Sequence, residues 1–286
     1  MVRPQPVCGS VLGTKDMATY YGGSGNDSQT GSSDADSIYG YGGNDTISGQ
    51  GGVDSIYGGD GADSINAGDG DDFVYAGTGN DTITASKGYD QVYGDAGNDS
   101  LSGGSDTYDD LYGGAGDDSI YAGNAGYNWG FGGEGNDLLY GGDGEQDLLH
   151  GGTGNDTAHG GNGNDVVLGG TGNDQVFGDA GNDFVAGDDG ADTVDGGTGA
   201  DTIEGGQGRD SLIGGDGADL IRGDIRTFDP AFFTSGPSTT PTTISFTNAS
   251  LFMVLALVLI SGFLIFAISG RSLVPGRLQS TAEGLY

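Results

Sequence analysis

The sequence predicts an all-β solenoid followed by one apolar helix, and three observations support this prediction. A nine-residue pattern, G-G-x-G-x-D-x-U-x with U a large apolar residue, repeats from Gly22 to Arg222. Aspartate occupies the sixth place of every nine-residue unit, and an apolar residue follows two places later in nearly all of them. A long uncharged stretch, Leu251–Ile268, lies after the repeats. A fixed nonapeptide period of this kind is typical of a parallel β-helix.

The repeat region consists of 22 units, of which 19 have nine residues and three have ten. The ten-residue units begin at Gly103, Ala122 and Gly141, and their extra residues are expected to form a bulge on one edge without disturbing the register. The unit at Ala122 lacks aspartate and holds the only tryptophan, Trp129. We expect it to have lost its cation sites, and two interpretations stay open: a structural bulge, or a binding spot centred on Trp129 and Tyr127.

On these residues the region resembles the RTX, or hemolysin-type calcium-binding, repeat family. The resemblance implies a right-handed parallel β-roll of about 11 coils. In such a roll the six residues GGxGxD form a turn, the next three residues form a strand, and two units complete a coil. It also implies Ca²⁺ between successive turns, bound by aspartates two units apart, such as Asp45 and Asp63, and by backbone carbonyls. The candidate calcium ligands are Asp27, Asp45, Asp54, Asp63, Asp72, Asp81, Asp90, Asp99, Asp118, Asp137, Asp147, Asp156, Asp165, Asp174, Asp183, Asp192, Asp201, Asp210 and Asp219.

The chemistry of the residues agrees with a hard cation. Calcium takes six to eight oxygens from carboxylates and carbonyls, and glycine allows a tight carbonyl-lined turn. No His or Cys occupies the repeat frame, which disfavours zinc and copper. Carboxylates stacked about 4.8 Å apart repel by about 3.5 kcal/mol per pair at an effective dielectric near 20. We therefore expect the repeats to be a disordered polyelectrolyte without calcium and to fold when calcium binds.

Composition excludes several classes of function. The 64 glycines and the net charge of −34 are extreme for a globular domain. The negative electrostatic field of such a chain repels nucleic acid and anionic lipid. Cys8 is alone, so no internal disulfide can form. The chain has no HExxH and no GxSxG motif, which predicts a non-enzymatic protein.

The segments around the repeats differ from them in composition. Residues 1–21 form a short lead without the apolar core of a signal peptide, and residues 223–250 are a Pro-, Ser- and Thr-rich linker. Residues 251–269 are long enough for a transmembrane helix of roughly 27 Å. Arg271 and Arg277 follow, which predicts that residues 270–286 are a cytoplasmic tail and that the repeats are anchored at the cell surface. The family usually ends in a secretion signal, so a secreted protein is the alternative.

An aromatic residue recurs at the ninth place of alternate units, where strands of period two point outward. Two interpretations stay open: aromatic residues suit stacked strands, or they form an exposed stripe that binds a glycan, a protein or a second copy. The members of this series are Tyr39, Tyr57, Tyr75, Tyr93, Tyr112, Phe131 and His150.

These observations together predict a calcium-binding, non-enzymatic surface or extracellular protein with a structural or adhesive role. Its predicted partners are calcium ions, a membrane through the C-terminal helix, and a glycan or protein at the tyrosine stripe. The first alternative is a repeat module of a secreted toxin or enzyme whose effector domain lies elsewhere. The second is ice binding through Thr-x-Asn turns such as Thr78-Gly-Asn80, although that row is interrupted.

Overall fold

The computed structural model describes residues 17–104, 108–144, 146–223 and 243–245. Every regular element among them is a β-strand, as the nonapeptide period predicts. In chain order the strands are β1 (Ala18–Tyr21), β2 (Ser28–Thr30), β3 (Asp36–Gly42), β4 (Thr46–Gly51), β5 (Ser55–Asp60), β6 (Ser64–Asp69), β7 (Phe73–Thr78), β8 (Thr82–Lys87), β9 (Gln91–Ala96), β10 (Ser100–Gly104), β11 (Asp110–Ala115), β12 (Ser119–Tyr121), β13 (Trp129–Glu134), β14 (Leu138–Gly142), β15 (Leu148–Thr153), β16 (Thr157–Asn162), β17 (Val166–Gly172), β18 (Gln175–Ala180), β19 (Phe184–Gly190), β20 (Thr193–Asp195), β21 (Thr198–Gly199), β22 (Thr202–Glu204), β23 (Gln207–Gly208), β24 (Ser211–Ile213), β25 (Asp216–Gly217), β26 (Leu220–Arg222) and β27 (Thr243–Ser245).

The strands alternate between two parallel sheets, so that two consecutive units complete one coil. The odd-numbered strands from β1 to β19, then β22 and β26, lie side by side in the first sheet, and the even-numbered strands from β2 to β20, then β24, form the second. Neighbouring strands of one sheet come from units two apart in the sequence, so Ile38 lies opposite Ile56. The offset grows by one position across a ten-residue unit, as between Tyr93 and Tyr112. The protein is a parallel β-solenoid of about 11 coils, which confirms the predicted fold class.

The apolar eighth-place side chains form a narrow core between the two sheets. Ile56, Leu101 and Leu149 are among those with no exposed surface. On β5, the side chains before and after Ile56 are half-buried and point outward, because successive side chains of a strand face opposite sides. Each unit thus adds at most one large apolar side chain to the core, and most of the remaining interior is backbone and carboxylate.

Most strands are longer than the three residues that the resemblance implied. β5 continues through the first three places of the next unit, and Gly59 pairs there with Tyr41 and Gly77. Glycines lack the Cβ that would keep neighbouring coils apart, so the backbone ladder extends through them. The turn is therefore confined to the fourth to sixth places. From β20 onward the eighth-place strands do shorten to three residues, as in Thr193–Asp195.

The ten-residue units leave the register intact, as predicted. Leu101 lies opposite Ile120, Ile120 lies opposite Leu139, and Leu139 lies opposite Ala158, so core positions stay aligned through all three of them. Residues 105–107 and Glu145, which belong to two of these units, lie outside the described residues.

The first sheet begins before the first repeat unit. Strand β1 lies upstream of Gly22 and pairs in parallel with β3, with Tyr21 opposite Tyr39. The predicted transmembrane segment 251–269 and tail 270–286 lie outside the described residues, as do most of the lead and the linker. Where the structure describes the chain, it contains no helix with the length and apolar character needed to cross a bilayer.

Candidate metal centre

The sixth-place aspartates form two columns, one along each edge where the chain turns from one sheet into the other. We call them the first and second aspartate columns. The first consists of Asp27, Asp45, Asp63, Asp81, Asp99, Asp118, Asp137, Asp156, Asp174, Asp192 and Asp210. The second consists of Asp36, Asp54, Asp72, Asp90, Asp109, Asn128, Asp147, Asp165, Asp183, Asp201 and Asp219. All members are buried except Asp27 and Asp210, which are half-buried.

One oxygen of each carboxylate holds neighbouring coils together. The backbone N–H of one column member donates to Oδ1 of the next: Asp54 N lies 2.8 Å from Asp72 Oδ1, and Asp165 N lies 2.9 Å from Asp183 Oδ1. These bonds continue without a break along both columns. The aspartates that the sequence paired two units apart are therefore spatial neighbours. The sequence did not indicate that most of these carboxylates also accept a buried N–H.

The other oxygen of most of these carboxylates is buried without a hydrogen-bond partner among the described residues. An ionised oxygen in that position is costly unless a proton or a cation compensates it. The first coil differs, since Oδ2 of Asp27 accepts the N–H of Gly23 and Oδ2 of Asp36 accepts the N–H of Ser32. The unpartnered Oδ2 atoms belong to Asp45, Asp54, Asp63, Asp72, Asp81, Asp99, Asp118, Asp137, Asp147, Asp156, Asp165, Asp174, Asp183, Asp192, Asp201 and Asp219.

A backbone carbonyl converges with most of the unpartnered Oδ2 atoms beside the first-place glycine. A Cβ placed on Gly169 would lie 2.6 Å from Oδ2 of Asp174 and 2.8 Å from the carbonyl oxygen of Gly187, one coil further on. A Cβ on Gly160 would meet Asp165 and Gly178 in the same way. Glycine is favoured at these two positions because two oxygens occupy the space that a side chain needs. The φ angle of these first-place glycines lies outside the left-handed region.

The left-handed backbone lies instead at the second and fourth places of the unit. Gly59 has φ of 113° and Gly61 has φ of 128°, and the same pair of places is left-handed in most units. Non-glycine residues also take this conformation at the second place, including Tyr41, Gln50 and Asp95. Because left-handed residues alternate with residues of ordinary φ in the glycine-rich loop, the carbonyl groups of the loop point toward neighbouring coils. A Cβ added at the second or fourth place would meet those carbonyl groups.

Burial raises the pKa of the column carboxyl groups, because desolvation disfavours the charged form. The pKa rises from 3.8 to about 7 for Asp54, Asp81, Asp118 and Asp183, and neighbouring carboxylates add to the increase. The hydrogen bond from the preceding N–H acts in the opposite direction. The same causes raise the pKa to about 6 for a further set, Asp72, Asp99, Asp137, Asp147, Asp156, Asp174, Asp192 and Asp201.

Three column members were not among the predicted ligands. Asp36 fits the sixth-place pattern, whereas Asp109 and Asn128 are seventh in ten-residue units. Asn128 replaces an aspartate without breaking the column, because its Oδ1 accepts the N–H of Asp109 and its Nδ2 donates to the carbonyl of Ala125. Counting forward from the first glycine already indicates Asp36, and counting back from the strand would have found Asp109 and Asn128. Asp147, also seventh in its unit, was predicted and occupies its expected place.

The donor set of the columns fits a hard cation. Among the described residues, no three His, Cys, Asp or Glu side chains converge on one point. The carboxylates are instead spread one per unit beside backbone carbonyl oxygens. An all-oxygen set of this kind suits Ca²⁺, which accepts carbonyls as readily as carboxylates and tolerates irregular geometry.

The aromatic stripe and the histidines lie on the outer faces, away from the columns. Tyr39 and Tyr57 stack with centroids 4.9 Å apart, and the stack extends from Tyr21 to Phe131. His150 is on the first sheet and His159 is on the second, so they do not form a pair. His159 instead contacts Asp179, with Nδ1 3.0 Å from Oδ2.

Comparison with known proteins gives one extended match and several short ones. The chain is 67% identical over 42 residues to ATP synthase subunit a of Rhizobium rhizogenes, which covers 15% of this chain and 17% of that protein. The corresponding values are 62% over 42 residues for Agrobacterium fabrum and 58% over 43 residues for Brucella ovis, with the same coverage. The chain thus spans less than a fifth of the length of these relatives.

The extended match is to the family model described as RTX calcium-binding nonapeptide repeat (4 copies). Nine overlapping segments match it, at residues 21–56, 48–83, 75–107, 109–125, 123–157, 145–176, 159–194, 168–203 and 195–225. These segments cover well over half of the chain and coincide with the coils that carry the aspartate columns. The chain therefore belongs to the family of proteins with RTX calcium-binding nonapeptide repeats, and it is a calcium-binding repeat protein.

Proposed function

We propose that this protein is a calcium-dependent structural or adhesive solenoid that acts outside the cell and has no enzymatic activity of its own. The observation that supports this most directly is the row of buried Oδ2 atoms without partners in both columns. RTX repeats are typical of extracellular or secreted proteins. Extracellular calcium modules bind with dissociation constants of about 10⁻⁴–10⁻³ M, so the repeats would be folded outside the cell and unfolded in calcium-poor compartments.

The column aspartates are the proposed ligands, each acting with carbonyl oxygens of the adjacent turns. At Asp165, for example, Oδ2 and the carbonyl oxygen of Gly178 lie beside Gly160. The bound ion supplies positive charge to the unpartnered oxygens. The Oδ1 atoms continue to accept N–H groups from the preceding coil, so the protein itself sets the spacing of the carboxylates.

Attachment to a membrane through residues 251–269 remains a prediction from the apolar sequence. An anchored solenoid would act as a spacer or adhesin, and a released one as a secreted structural protein. The short similarity to ATP synthase subunit a supports no proposal about activity, because the chain spans only 17% of that protein.

A calcium titration of the metal-stripped full chain tests the proposal. Far-UV circular dichroism is expected to show a disordered chain in chelator and a cooperative gain of β-structure as calcium rises toward millimolar levels. Magnesium at the same concentrations is the control, and we expect it to be much less effective because it demands near-octahedral geometry and dehydrates reluctantly. Full β-structure in excess chelator would falsify the proposal.

A further inference from the structure

The two outer faces of the solenoid differ in chemistry over the early coils, whereas in the later coils the second sheet has a stacked column of its own, Tyr121, Tyr140, His159 and Phe177. On the second sheet, the outward side chains of the early coils are small and polar, as in Thr46, Ser48 and Ser64. On the first sheet, the ninth-place side chains form an uncharged column of rings and aliphatic groups. Its members are Tyr21, Tyr39, Tyr57, Tyr75, Tyr93, Tyr112, Phe131, His150, Leu168 and Ala186.

A second apolar column lies beside the first over the later coils. Trp129, Leu148, Val166 and Phe184 occupy adjacent strands of the first sheet at the seventh place or its equivalent. Trp129 is 47% exposed. We call the two columns together the apolar face. The second-place column beside them is mostly glycine, such as Gly133, Gly152 and Gly170, so this side of the sheet is flat.

Ring stacking decides which kind of partner this face suits. Tyr93 and Tyr112 are 4.7 Å apart with an interplanar angle of 4°, and Tyr112 and Phe131 are 5.0 Å apart at 5°. The flat sides of these rings are covered by one another, and only their edges point outward. A sugar that stacks on an aromatic ring needs an exposed flat side, so a glycan is disfavoured. Ring edges and aliphatic side chains instead favour packing against the face of a second β-sheet.

Size and period both point to a second copy of this chain. The ninth-place column crosses ten strands of the first sheet, which at a spacing of about 4.8 Å gives a length of about 50 Å. With the seventh-place and second-place columns beside it, the face is about 15 Å wide and covers roughly 750 Å². A stable interface buries about 800 Å² on each partner. A second solenoid also has the same strand period, so its side chains stay in register along the whole face, as in paired sheets of identical strands.

We propose that two calcium-loaded copies pack face to face through the apolar face. The inference rests on the proposed calcium-dependent folding, since the face exists only in the folded solenoid. Chains of charge −34 repel, and the ninth-place column from Tyr21 to Ala186 carries no carboxylate. Contact along that column keeps most like charges apart, with Asp95, Asp110 and Asp188 at its margins, while calcium in the aspartate columns reduces the repulsion.

Sedimentation velocity of the full chain in millimolar calcium tests the dimer, with circular dichroism confirming that each sample is folded. Wild type is expected to dimerise at about micromolar concentrations, with a blue shift of Trp129 fluorescence as the dimer forms. The combined variant Leu148→Thr, Val166→Thr and Leu168→Thr is expected to raise the dimer dissociation constant at least tenfold. The matched control is the combined variant Leu138→Thr, Tyr140→Thr and Phe177→Thr, whose changes lie on the outer side of the second sheet. This control should dimerise like wild type.

Three results would overturn the inference while leaving calcium-dependent folding intact. The first is a folded wild type that stays monomeric at about 100 μM. The second is a dimer that survives the first-sheet variant, or is lost equally in the control, because the contact then lies elsewhere. The third is a monomer whose Trp129 is shielded from a soluble quencher, because another part of this chain would then cover the face. Failure to fold in calcium would instead contradict the proposed function.

Discussion

The sixth-place aspartate uses its two carboxylate oxygens differently. Oδ1 accepts the N–H of the preceding coil, whereas Oδ2 in most coils has no partner among the described residues. Asn128 separates the two roles, because its amide oxygen maintains the hydrogen-bonded column without a negative charge. The column is thus continuous wherever an acceptor is present at each coil, and we propose that calcium binding needs the negative charge as well.

Replacing Asp165, Asp174 and Asp183 tests this division. Changing all three to Asn should keep the hydrogen bonds but lower the number of calcium ions bound and raise the calcium midpoint of folding. Changing all three to Ala should raise that midpoint further, because each buried N–H left without an acceptor costs about 1–3 kcal/mol. Titration calorimetry and circular dichroism give the two readouts. Equal midpoints for the Asn and Ala variants would show that the Oδ1 bonds contribute nothing.

The raised carboxyl pKa values predict opposite pH dependence with and without calcium. The pKa of Asp54, Asp81, Asp118 and Asp183 is about 7 in the folded chain and near 3.8 when unfolded. Their contribution to stability is thus fully present below about pH 4 and is lost as the pH rises to about 7. The metal-stripped chain should gain β-structure on acidification from pH 7.5 to 4.

The calcium-loaded chain should lose stability over the same pH range, because protons compete with the ion for the carboxylates. Thermal melts of both forms at several pH values measure this difference. A metal-stripped chain that becomes less folded on acidification would contradict the assignment of protonated, buried carboxyl groups.

At the scale of the strand and its turn, the first-place glycine sets how closely two coils approach. At Gly169, the side-chain oxygen of its own unit and a carbonyl of the next coil converge on the position of a Cβ. Alanine takes this place in four units and is fully buried in each, so the fold accommodates a methyl group at Ala67, Ala76, Ala85 and Ala122.

Gly169→Ala is expected to destabilise the calcium-loaded solenoid by about 1–3 kcal/mol, the usual cost of overpacking. A Cβ at this position would lie under 3 Å from Asp174 Oδ2 and Gly187 O. Gly25→Ala is the matched control, because no atom lies within 4 Å of its added Cβ. Denaturant melts at fixed calcium should show a change within about 0.5 kcal/mol for the control. Equal effects at the two sites would remove the crowding argument.

At the scale of the whole chain, charge and a small core together favour expansion without calcium. The net charge of −34 is concentrated in the repeats, and each unit adds at most one large apolar side chain to the core. An unfolded chain of this length has a radius of gyration of about 60 Å. Small-angle scattering should show a value near this in chelator and a clear decrease on adding calcium, with only partial compaction in about 0.15 M salt. The same radius in chelator and in calcium would contradict the prediction.

The sequence by itself determined the solenoid, the two units per coil, the inward eighth-place residues such as Ile56 and the outward ones such as Tyr57. These features follow from a nine-residue period combined with the two-residue period of a strand, so they are present within each unit. The sequence also placed Asp165 and Asp183 side by side, because two units make one coil.

Only the tertiary structure decided the role of each carboxylate oxygen, the extension of the strands through glycine, and the inclusion of Asp109 and Asn128 in the second column. It also decided that β1 begins the first sheet ahead of the repeats. Each of these features depends on contacts between neighbouring coils, where the backbone of one turn meets the side chains of the next. A pattern read within single units contains no information on those contacts.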